Sequence, residues 1–545
     1  MRLGLDIGGG TDANRVMSYN PFVSLKWMTD GRTVDGMTTR TASELVSRED
    51  ALRLYTKGSA WFTFDDDRRG TLQMPERPDL GRVPQLLLVK APASAQSILR
   101  PPVAGRTEIS LSSPVWQQPV RSCNRPKSNY ANNFRNSCRG NAMNTQSKIR
   151  YGMVGGGEGA FIGAVHRMAA ALDGEFALVC GAFSSEARRN GRSAAALGLD
   201  PGRAYATLDT LLAGEAALPA DQRMEALAIV TPNHLHAPMA IAALDAGFHV
   251  LSEKPMALNL AEAQAIAAAV GRSGKLYGLA FTYSGYPLIE EARVRVARGD
   301  FGKIRLVQVE YSQGWLSRPI DRDGNKQAEW RTDPARAGLG GCLGDIGTHA
   351  FQLAEHVSGL AVESLSAELT THVPGRRLDD DVAVLMRFDG GARGVLKASQ
   401  IAAGDENGLR LRIYGEEGGL EWSQMEPNSL TLRWLDRPTE VIRGGGPGLD
   451  PLAMARLRTP AGHPEGYIEA FANLYRSFGR ALRAGASTPP PPGAANWFPG
   501  VVDGLRTMAF VEAVIENNAG ESKWTALADA PNDHPLSSEI RIPKG

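Results

Sequence analysis

Cysteine is scarce in this sequence, with only four among 545 residues. Cys123, Cys138, Cys180 and Cys342 lie far apart, and no two of them form a C-x-x-C pair. This spacing excludes a disulfide-stapled scaffold and a zinc site built on cysteine pairs, and we expect no bound metal. Few, scattered cysteines are typical of a reducing compartment, so we expect a cytoplasmic protein.

Long apolar runs and net charge are missing as well. No stretch approaches the ~18–20 apolar residues that a membrane span needs, and the N-terminus lacks the basic start and apolar core of a secretory signal. The formal net charge of +1 gives no overall attraction to nucleic acid or to an anionic membrane. We therefore expect neither partner. At 545 residues, the chain is long enough for two or more domains.

Acidic residues are absent between Ile109 and Gly157, where arginine and lysine accumulate. The segment 73–146 is rich in Pro, Ser, Asn and Arg and shows no hydrophobic periodicity. A basic arm for nucleic acid is one interpretation, but the interleaved aromatic residues of such arms are missing. We favour a disordered linker over 73–146.

Beyond Lys148 the chain alternates apolar strands with helical patterns. The segments "IRYGMVG", "FALVCGAF", "EALAIVTP" and "HVLSEKP" predict strands. Strands alternating with helices call for a parallel sheet with right-handed crossovers, so we predict an α/β Rossmann domain over 147–272. From 273 to 530 the strands alternate apolar and polar residues, as in "DVAVLMRF", which predicts an α+β domain with a large, mostly antiparallel open sheet.

A glycine-rich turn follows the first of these strands and opens a helix. Gly155, Gly157 and Ala160 form a G-x-G-x-x-A pattern. In this context Gly155 permits the tight turn, Gly157 the close approach of a pyrophosphate, and Ala160 the packing of helix on strand. The helix N-terminus supplies amide donors, so the pattern predicts a dinucleotide site.

The end of the second strand bears on which dinucleotide is bound. Ser184 and Ser185 stand where an NAD site usually carries an acidic residue, and Arg188 and Arg189 follow. Hydroxyls and an arginine suit the 2′-phosphate of NADP. The alternative is that both arginines are solvated surface residues. The expected cofactor is therefore NAD or NADP.

Two later segments, "TPNHLHAPMAIAALDAGFHVLSEKPMA" and "GGCLGDIGTHAFQL", carry an E-K-P motif and a G-D-x-x-x-H motif. They resemble the glucose–fructose oxidoreductase/inositol dehydrogenase (Gfo/Idh/MocA) family, and the resemblance extends from about Lys148 to Trp524. It implies a Rossmann domain followed by a domain whose open sheet builds a homodimer or homotetramer. It also implies hydride transfer between a nicotinamide and a carbon of a sugar, inositol or related polyol.

The motif residues suit that chemistry. Lys254 ends a strand at the edge of the sheet where α/β ligand sites form, and a partly desolvated ammonium there can transfer a proton or polarise a substrate oxygen. Asp345 and His349 are four residues apart and would share one face of a helix. The histidine suits acceptance of the alcohol proton, with Asp345 orienting it or binding substrate. The alternatives are a surface lysine and an ordinary helix pair.

The resemblance also extends the two predicted sites. Substrate contacts are expected at Lys254, Tyr283, Trp330, Arg331, Asp345 and His349, with Asp379 and Asp380 in a segment of the same kind. His166 is interpreted as a helix residue near the glycine turn. Cofactor contacts are expected at Gly155, Gly157, Ala160, Phe161, Ile162, Ser184, Ser185, Arg188, Thr231, Pro232, Asn233, His236, Glu253 and Lys254.

The N-terminal segment "LGLDIGGGTDA" carries a second glycine cluster. It is similar to the phosphate loop of actin-like sugar kinases, but the long strands of that fold do not follow it. Residues 1–72 instead resemble the C-terminal part of a metal-dependent amidohydrolase, with Asp12 at the catalytic position. That barrel needs roughly 200 or more residues and metal-binding histidines before this aspartate, so we expect a truncated remnant without hydrolase activity.

Met143 begins "MNTQSKIRYGMVGGG", a natural start for a Rossmann protein. We hypothesise that the residues before it are the remnant of an upstream gene joined to sequence that was never selected to fold. Two alternatives to a dehydrogenase stay open at this point. One is a non-catalytic Rossmann sensor, and the other is a bifunctional hydrolase–dehydrogenase.

Overall fold

The computed structural model describes residues 147–527 and four isolated earlier residues, Thr29, Leu45, Ser47 and Ala51. Asp12 and the expected linker over 73–146 lie outside the described residues, as does the expected amidohydrolase remnant over 1–72 apart from those four. The chain divides between Arg125 and Pro126, and the fold below belongs to the second part.

The first domain is built on a five-stranded sheet in the order β2–β1–β3–β4–β5. All neighbouring strands run parallel, as predicted. β3 is buried along its whole length, because helices cover both faces of such a sheet, and its sequence is accordingly apolar throughout. The strands are β1 (Ile149–Gly155), β2 (Phe176–Ala182), β3 (Ala226–Val230), β4 (His249–Ser252) and β5 (Tyr277–Leu279).

Helices cross between these strands. The last of them has a side-chain cap at its start and a glycine at its end. The Asn259 side chain accepts a hydrogen bond from the Glu262 amide, and Gly274 closes the helix in a left-handed conformation. The helices are α1 (Phe161–Leu172), α2 (Ala187–Ala196), α3 (Leu208–Ala216), α4 (His236–Asp245) and α5 (Leu260–Ser273).

The second domain is built on a nine-stranded sheet in the order β13–β12–β11–β10–β6–β9–β8–β7–β14. Neighbouring strands are antiparallel except β6 and β9, which run parallel, so the predicted mostly antiparallel sheet is confirmed. The strands are β6 (Leu306–Ser312), β7 (Val362–Thr370), β8 (Asp381–Phe388), β9 (Arg393–Ser399), β10 (Gly408–Tyr414), β11 (Gly418–Ser423), β12 (Ser429–Trp434), β13 (Glu440–Arg443) and β14 (Thr525–Ala526).

One face of this sheet is covered by helices and the other is open. In β8, buried and exposed residues alternate, which is the pattern of a sheet covered on one side. On the covered side, Phe351 stacks on Phe510 with ring centroids 4.1 Å apart. The helices are α6 (Pro287–Ala297), α7 (Lys326–Arg331), α8 (Pro334–Ala337), α9 (Thr348–Ser358), α10 (Pro451–Met454), α11 (Tyr467–Arg483) and α12 (Val501–Ala519).

The chain returns to the parallel sheet near its end. α11 packs on α1, and the ring of Tyr475 contacts that of Phe176 in β2 with centroids 5.2 Å apart. β5 also belongs to the parallel sheet, although it follows residue 272, the expected end of the first domain. α11, which follows the second sheet along the chain, therefore completes the core of the first domain. Among the described residues, every helix is too short or too polar to cross a bilayer.

Candidate active site

A cavity of about 1390 Å³ lies where the two domains meet. Residues that follow β1, β2, β3 and β4 line one side, and residues of β6 and the segment before α9 line the other. Carboxyl ends of parallel strands are the usual ligand edge of an α/β sheet. The volume exceeds the roughly 300–1,000 Å³ of an ordinary ligand pocket, which leaves room for a dinucleotide and a second small molecule.

The glycine turn after β1 forms one end of the cavity. Gly155 has φ +80°, and a Cβ on it would lie 2.7 Å from the Val230 carbonyl oxygen, so only glycine fits. A Cβ on Gly157 would lie 2.8 Å from the Phe183 carbonyl oxygen. The turn is therefore a bare backbone cradle at the N-terminus of α1, which fits a pyrophosphate. Ala160, Phe161 and Ile162 line the cavity beside it.

Of the residues expected to contact the cofactor after β2, Ser184 and Ser185 line the cavity, but Arg188 does not. Arg188 is exposed on α2, whereas Arg189 reaches the cavity and donates through Nε to the Glu158 carbonyl oxygen at 3.0 Å. One residue along a helix turns a side chain by about 100°, which is why the two neighbouring arginines face different ways.

Of the residues after β3 that were expected to contact the cofactor, some line the cavity and one does not. Thr231, Pro232 and Asn233 line the cavity, and the Asn233 amide donates to the Ala337 carbonyl oxygen at 2.9 Å. His236 does not line it. The ring of His236 is fully buried between the carbonyl oxygens of Thr231 and Pro255, 2.9 and 2.8 Å from its two nitrogens, and so braces the backbone behind the site.

Lys254 and Asp345 meet at the other end of the cavity. Lys254 follows β4 and precedes Pro255 in a cis peptide bond. Its ammonium donates to Asp345 Oδ1 at 2.8 Å and to the Asp345 carbonyl oxygen at 2.6 Å. The pairing holds the ammonium of the first domain against a backbone turn of the second.

The Asp345 carboxylate is shared among several donors. Gln400 donates to its second oxygen at 2.9 Å, and the Arg331 guanidinium lies 3.3 Å from the same oxygen. Burial raises the pKa of this carboxyl, but the charges of Lys254 and Arg331 outweigh burial and hold the pKa far below its usual range. Asp345 is therefore ionised at any working pH.

His349 lies one turn beyond Asp345, but the local structure is not a plain α-helix. Leu343–Gly347 form a π turn that leads into α9, so Asp345 projects from a widened turn. π turns are frequent at functional sites. In the part of the chain that the structure describes, Asp345 makes no hydrogen bond to His349, so the expectation that it orients the histidine is not met by a direct contact.

The His349 ring lines the cavity among aromatic residues. Its centroid is 4.9 Å from the Tyr283 ring and 5.4 Å from the Phe281 ring, both edge to face. Nδ1 is buried and has no hydrogen-bond partner among the described residues, which leaves Nε2 to meet a molecule in the cavity. Burial, followed by the charge of Lys254, lowers the pKa of His349 well below its ordinary value, so the ring is neutral near pH 7.

A polar wall that sequence reasoning missed continues from Tyr283. The hydroxyls of Tyr283 and Tyr311 are hydrogen-bonded, Tyr311 donates to Asn407 Oδ1 at 2.7 Å, and the Gln313 amide donates to the same oxygen at 2.8 Å. The Trp315 indole donates to Gln313 at 3.0 Å. These residues come from β6, the segment after it and the segment before β10, and no motif in the sequence connects them.

Trp330 and Arg331, where substrate contacts are expected, lie on α7 at the mouth of the cavity. The Arg331 guanidinium stacks on the Trp330 ring at 4.2 Å and lies 5.9 Å from the Trp315 ring. Arg331 thus links the aromatic mouth to the Asp345 carboxylate.

Asp379 and Asp380 do not line the cavity but support it. Asp379 accepts hydrogen bonds from the amides of Gly341 and Leu343, both at 2.7 Å, where the π turn begins. Burial raises the pKa of Asp379 to about 6. Asp380 accepts from the amides of His372 and Val373 at 2.8 and 2.9 Å. The first aspartate therefore fixes the start of the turn that carries Asp345.

Comparison with known proteins agrees with this geometry. Residues 149–281 match the family described as "Oxidoreductase family, NAD-binding Rossmann fold", and residues 289–421 match the "GFO/IDH/MocA C-terminal domain". The chain is 35% identical over 339 residues to the uncharacterized oxidoreductase YfiI of Bacillus subtilis, covering 62% of this chain and 86% of that protein.

The chain belongs to the Gfo/Idh/MocA oxidoreductase family.

Two further proteins are similar to this chain. Levoglucosan dehydrogenase of Pseudarthrobacter phenanthrenivorans is 28% identical, with 55% of this chain and 80% of that protein covered. An inositol dehydrogenase homologue complexed with NAD+ from Azotobacter vinelandii is similar in structure, with a TM-score of 0.66 at 35% identity, covering 70% of this chain and 97% of that one.

The N-terminal residues lie outside the Gfo/Idh/MocA match and match a different family. Residues 1–80 match the amidohydrolase family, which confirms the predicted resemblance of this segment. This Gfo/Idh/MocA protein is thus an oxidoreductase with a nicotinamide-binding Rossmann domain, preceded by a segment that is similar to amidohydrolases.

Proposed function

We propose that the protein oxidises a CH–OH carbon of a sugar, an inositol or a related polyol, or reduces the corresponding carbonyl, with NAD or NADP. The observation that carries this proposal is the joining of Lys254, Asp345 and His349 at one end of a cavity whose other end is the glycine turn. A binding protein without catalysis would not need a lysine, a carboxylate and a neutral histidine together at the same place.

The chain's own groups would divide the reaction as follows. The Lys254 ammonium, held by Asp345, binds the substrate oxygen and stabilises negative charge that develops on it. His349 Nε2 takes the hydroxyl proton, because the neutral ring is a base near pH 7. The glycine turn would hold NAD(P)+, which would supply the acceptor for the hydride of the same carbon, so that the substrate would be left as a carbonyl compound. Asp345 keeps the ammonium in place and charged.

The wall of the cavity favours a substrate with several hydroxyl groups. Aromatic faces of Trp315 and Trp330 stand beside the amides of Gln313 and Asn407. Aromatic and amide groups together suit polyols, whose apolar ring faces and hydroxyl edges need both kinds of contact. The relatives named for levoglucosan and inositol support the same class.

The open face of the nine-stranded sheet supports a homodimer or homotetramer. Leu385 of β8 is 50% exposed, and Val395, its partner in β9, is 42% exposed. Leu306 of β6 is also exposed. Apolar side chains paired on an open sheet suit contact with a second copy of the sheet. Leu385→Glu should convert the assembly to a monomer in light scattering, whereas Leu435→Glu, at another exposed leucine in the loop after β12, should not.

The test of function is a substrate screen. The protein is incubated with inositols, aldoses and anhydro-sugars, with NAD+ and NADP+ in separate reactions, and formation of the reduced cofactor is followed by its absorbance. Turnover of one or more polyols supports the proposal. Cofactor binding without turnover of any of them would favour a sensor.

A further inference from the structure

Three buried polar side chains form a continuous hydrogen-bonded series next to Lys254. The hydroxyl of Tyr475 lies 2.7 Å from His166 Nδ1, and His166 Nε2 lies 2.9 Å from Glu253 Oε1. Tyr475 belongs to α11 and His166 to α1, and Glu253 directly follows β4. These hydrogen bonds therefore connect three elements that meet only in the folded protein, and the series ends at the residue next to Lys254.

The direction of these hydrogen bonds follows from the charge of Glu253. Burial raises the pKa of this carboxyl, but the hydrogen bond and charge of His166, together with Lys254, outweigh burial and lower it. An ionised carboxylate can only accept, so His166 donates through Nε2. The other ring nitrogen, Nδ1, is hydrogen-bonded to the hydroxyl of Tyr475 at 2.7 Å. Each group thus fixes the orientation of the next.

The second carboxylate oxygen of Glu253, Oε2, accepts a hydrogen bond from the backbone amide of Lys254 at 3.2 Å, and the residue lies at the cavity wall. The residue is 8% exposed and lines the same cavity as the glycine turn, Lys254 and His349. The Lys254 ammonium is hydrogen-bonded to Asp345, so it does not neutralise Glu253 by a direct contact. Burying a charge is costly in a protein interior, and a well-packed apolar residue in its place would often be at least as stable. A carboxylate held ionised at a cavity wall therefore points to a role toward a ligand.

We propose that His166 and Tyr475 are positioning residues that hold Glu253 as a carboxylate beside the nicotinamide, where its charge favours the oxidised over the reduced cofactor. This rests on the proposed function, which puts the reacting carbon, and hence the nicotinamide, at Lys254. The oxidised ring is cationic and the reduced ring is neutral. A nearby carboxylate in a water-poor cavity therefore stabilises the first and not the second.

The experiment measures dissociation constants for the oxidised and the reduced cofactor on the full-length protein. Reduced cofactor is followed by its fluorescence, and oxidised cofactor by competition against it. In Glu253→Gln the ratio of Kd for the oxidised form to Kd for the reduced form should rise on the order of tenfold. His166→Phe should raise it similarly, and Tyr475→Phe should raise it less, because only the outer hydroxyl is lost.

The matched control is Tyr151→Phe. The ring of Tyr151 is 6.2 Å from that of Tyr475 in the same aromatic cluster, but within residues 147–527 its hydroxyl makes no hydrogen bond to Glu253 or His166. Its ratio should equal that of the wild type. Equal changes in both dissociation constants in Glu253→Gln would overturn the proposal, and so would a shift in Tyr151→Phe as large as in Tyr475→Phe.

The result separates this proposal from the proposed function. A shifted ratio in a protein that oxidises no polyol would leave the role of Glu253 standing and overturn the substrate class. Polyol oxidation together with an unchanged ratio of dissociation constants in Glu253→Gln would support the substrate class and overturn the role of Glu253. If His166→Phe does not fold, Glu253→Gln and Tyr475→Phe decide, since each keeps the shape of the side chain it replaces.

Discussion

The ammonium of Lys254 lies 2.8 Å from a carboxylate oxygen of Asp345 and 2.6 Å from the carbonyl oxygen of the same residue. The two residues are 91 positions apart in the sequence. Lys254 follows a strand of the five-stranded sheet, and Asp345 belongs to the domain of the nine-stranded sheet. This contact ties the reacting end of the nucleotide-binding domain to the domain that supplies the substrate wall.

Replacing Lys254 by methionine should lower kcat by roughly a thousandfold or more, because the substrate oxygen loses its cationic partner. The Kd of the reduced cofactor should stay within a few-fold of the wild-type value, since the glycine turn is untouched. Lys303→Met, at an exposed lysine before β6, should behave as wild type. Near-wild-type turnover in Lys254→Met would remove this residue from the mechanism.

The oxidation rate should depend on pH through His349. Its pKa is lowered, so the ring is a neutral base at pH 7 and stays one as the pH falls past about 6.5, the ordinary histidine value. We expect kcat for oxidation to be level from about pH 8 to about 6.5 and to fall only at lower pH, where the ring becomes protonated. His349→Gln should be slow at every pH and lack this fall. A kcat that halves near or above the ordinary histidine value in the wild type would contradict the lowered pKa.

Asp379→Ala should lower both stability and turnover. The variant loses two hydrogen bonds to the amides of Gly341 and Leu343, each worth about 1.5–3 kcal/mol with a charged acceptor, although part of this is offset because a buried carboxylate is costly. The turn that carries Asp345 is then less fixed, and displacement of reacting groups by about 1 Å can cost on the order of a hundredfold in rate. Thermal unfolding and kcat report the two effects.

The comparison for Asp379 is Asp200→Ala. Asp200 also accepts a hydrogen bond from a backbone amide, that of Gly202, but it is exposed and does not line the cavity. Its loss should leave kcat unchanged. If Asp379→Ala lost stability but kept full kcat, the residue would support the fold and not the position of Asp345.

Ser184→Asp should shift cofactor preference toward NAD. Ser184 follows β2, where a carboxylate binds the ribose 2′-hydroxyl of NAD and repels the 2′-phosphate of NADP. The ratio of kcat/KM for NADP+ to that for NAD+ should fall on the order of tenfold or more. The control is Ser487→Asp, which adds the same charge at an exposed serine that does not line the cavity, and it should leave the ratio unchanged. An unchanged ratio in Ser184→Asp would mean that the ribose 2′ group of the bound cofactor does not lie next to Ser184.

Local patterns in the sequence predicted most of the fold. The Rossmann sheet follows from apolar strands such as "ALAIV" and from the glycine turn, because each of these signals is contained within a few consecutive residues. The alternation in "DVAVLMRF" likewise predicted the one-sided second sheet. The π turn at Asp345 was not predicted, because the segment "GGCLGDIGTH" carries no pattern that distinguishes a π turn from an α-helix. The carboxylate of Asp379, which accepts from the amides of Gly341 and Leu343, lies 38 and 36 positions away from them.

The same distinction separates the site residues that were found from those that were missed. Lys254, Asp345 and His349 stand in motifs and were found. Gln400, Tyr311 and Asn407 reach the site from separate strands or their ends, so only the pairing of the sheet brings them there. His166 was interpreted as a plain helix residue because its partner Tyr475 lies 309 positions away.

The return of α11 to the parallel sheet limits how this protein can be recombined. Phe471 and Tyr475 complete the core around Ile149, Tyr151 and Phe176, although they come from the opposite end of the fold. A chimaera that exchanged residues 147–279 alone would set a foreign sheet against a helix shaped for this one. The nucleotide-binding domain is therefore not exchangeable by itself, and we expect a folded chimaera to need the helix Tyr467–Arg483 from the same parent protein.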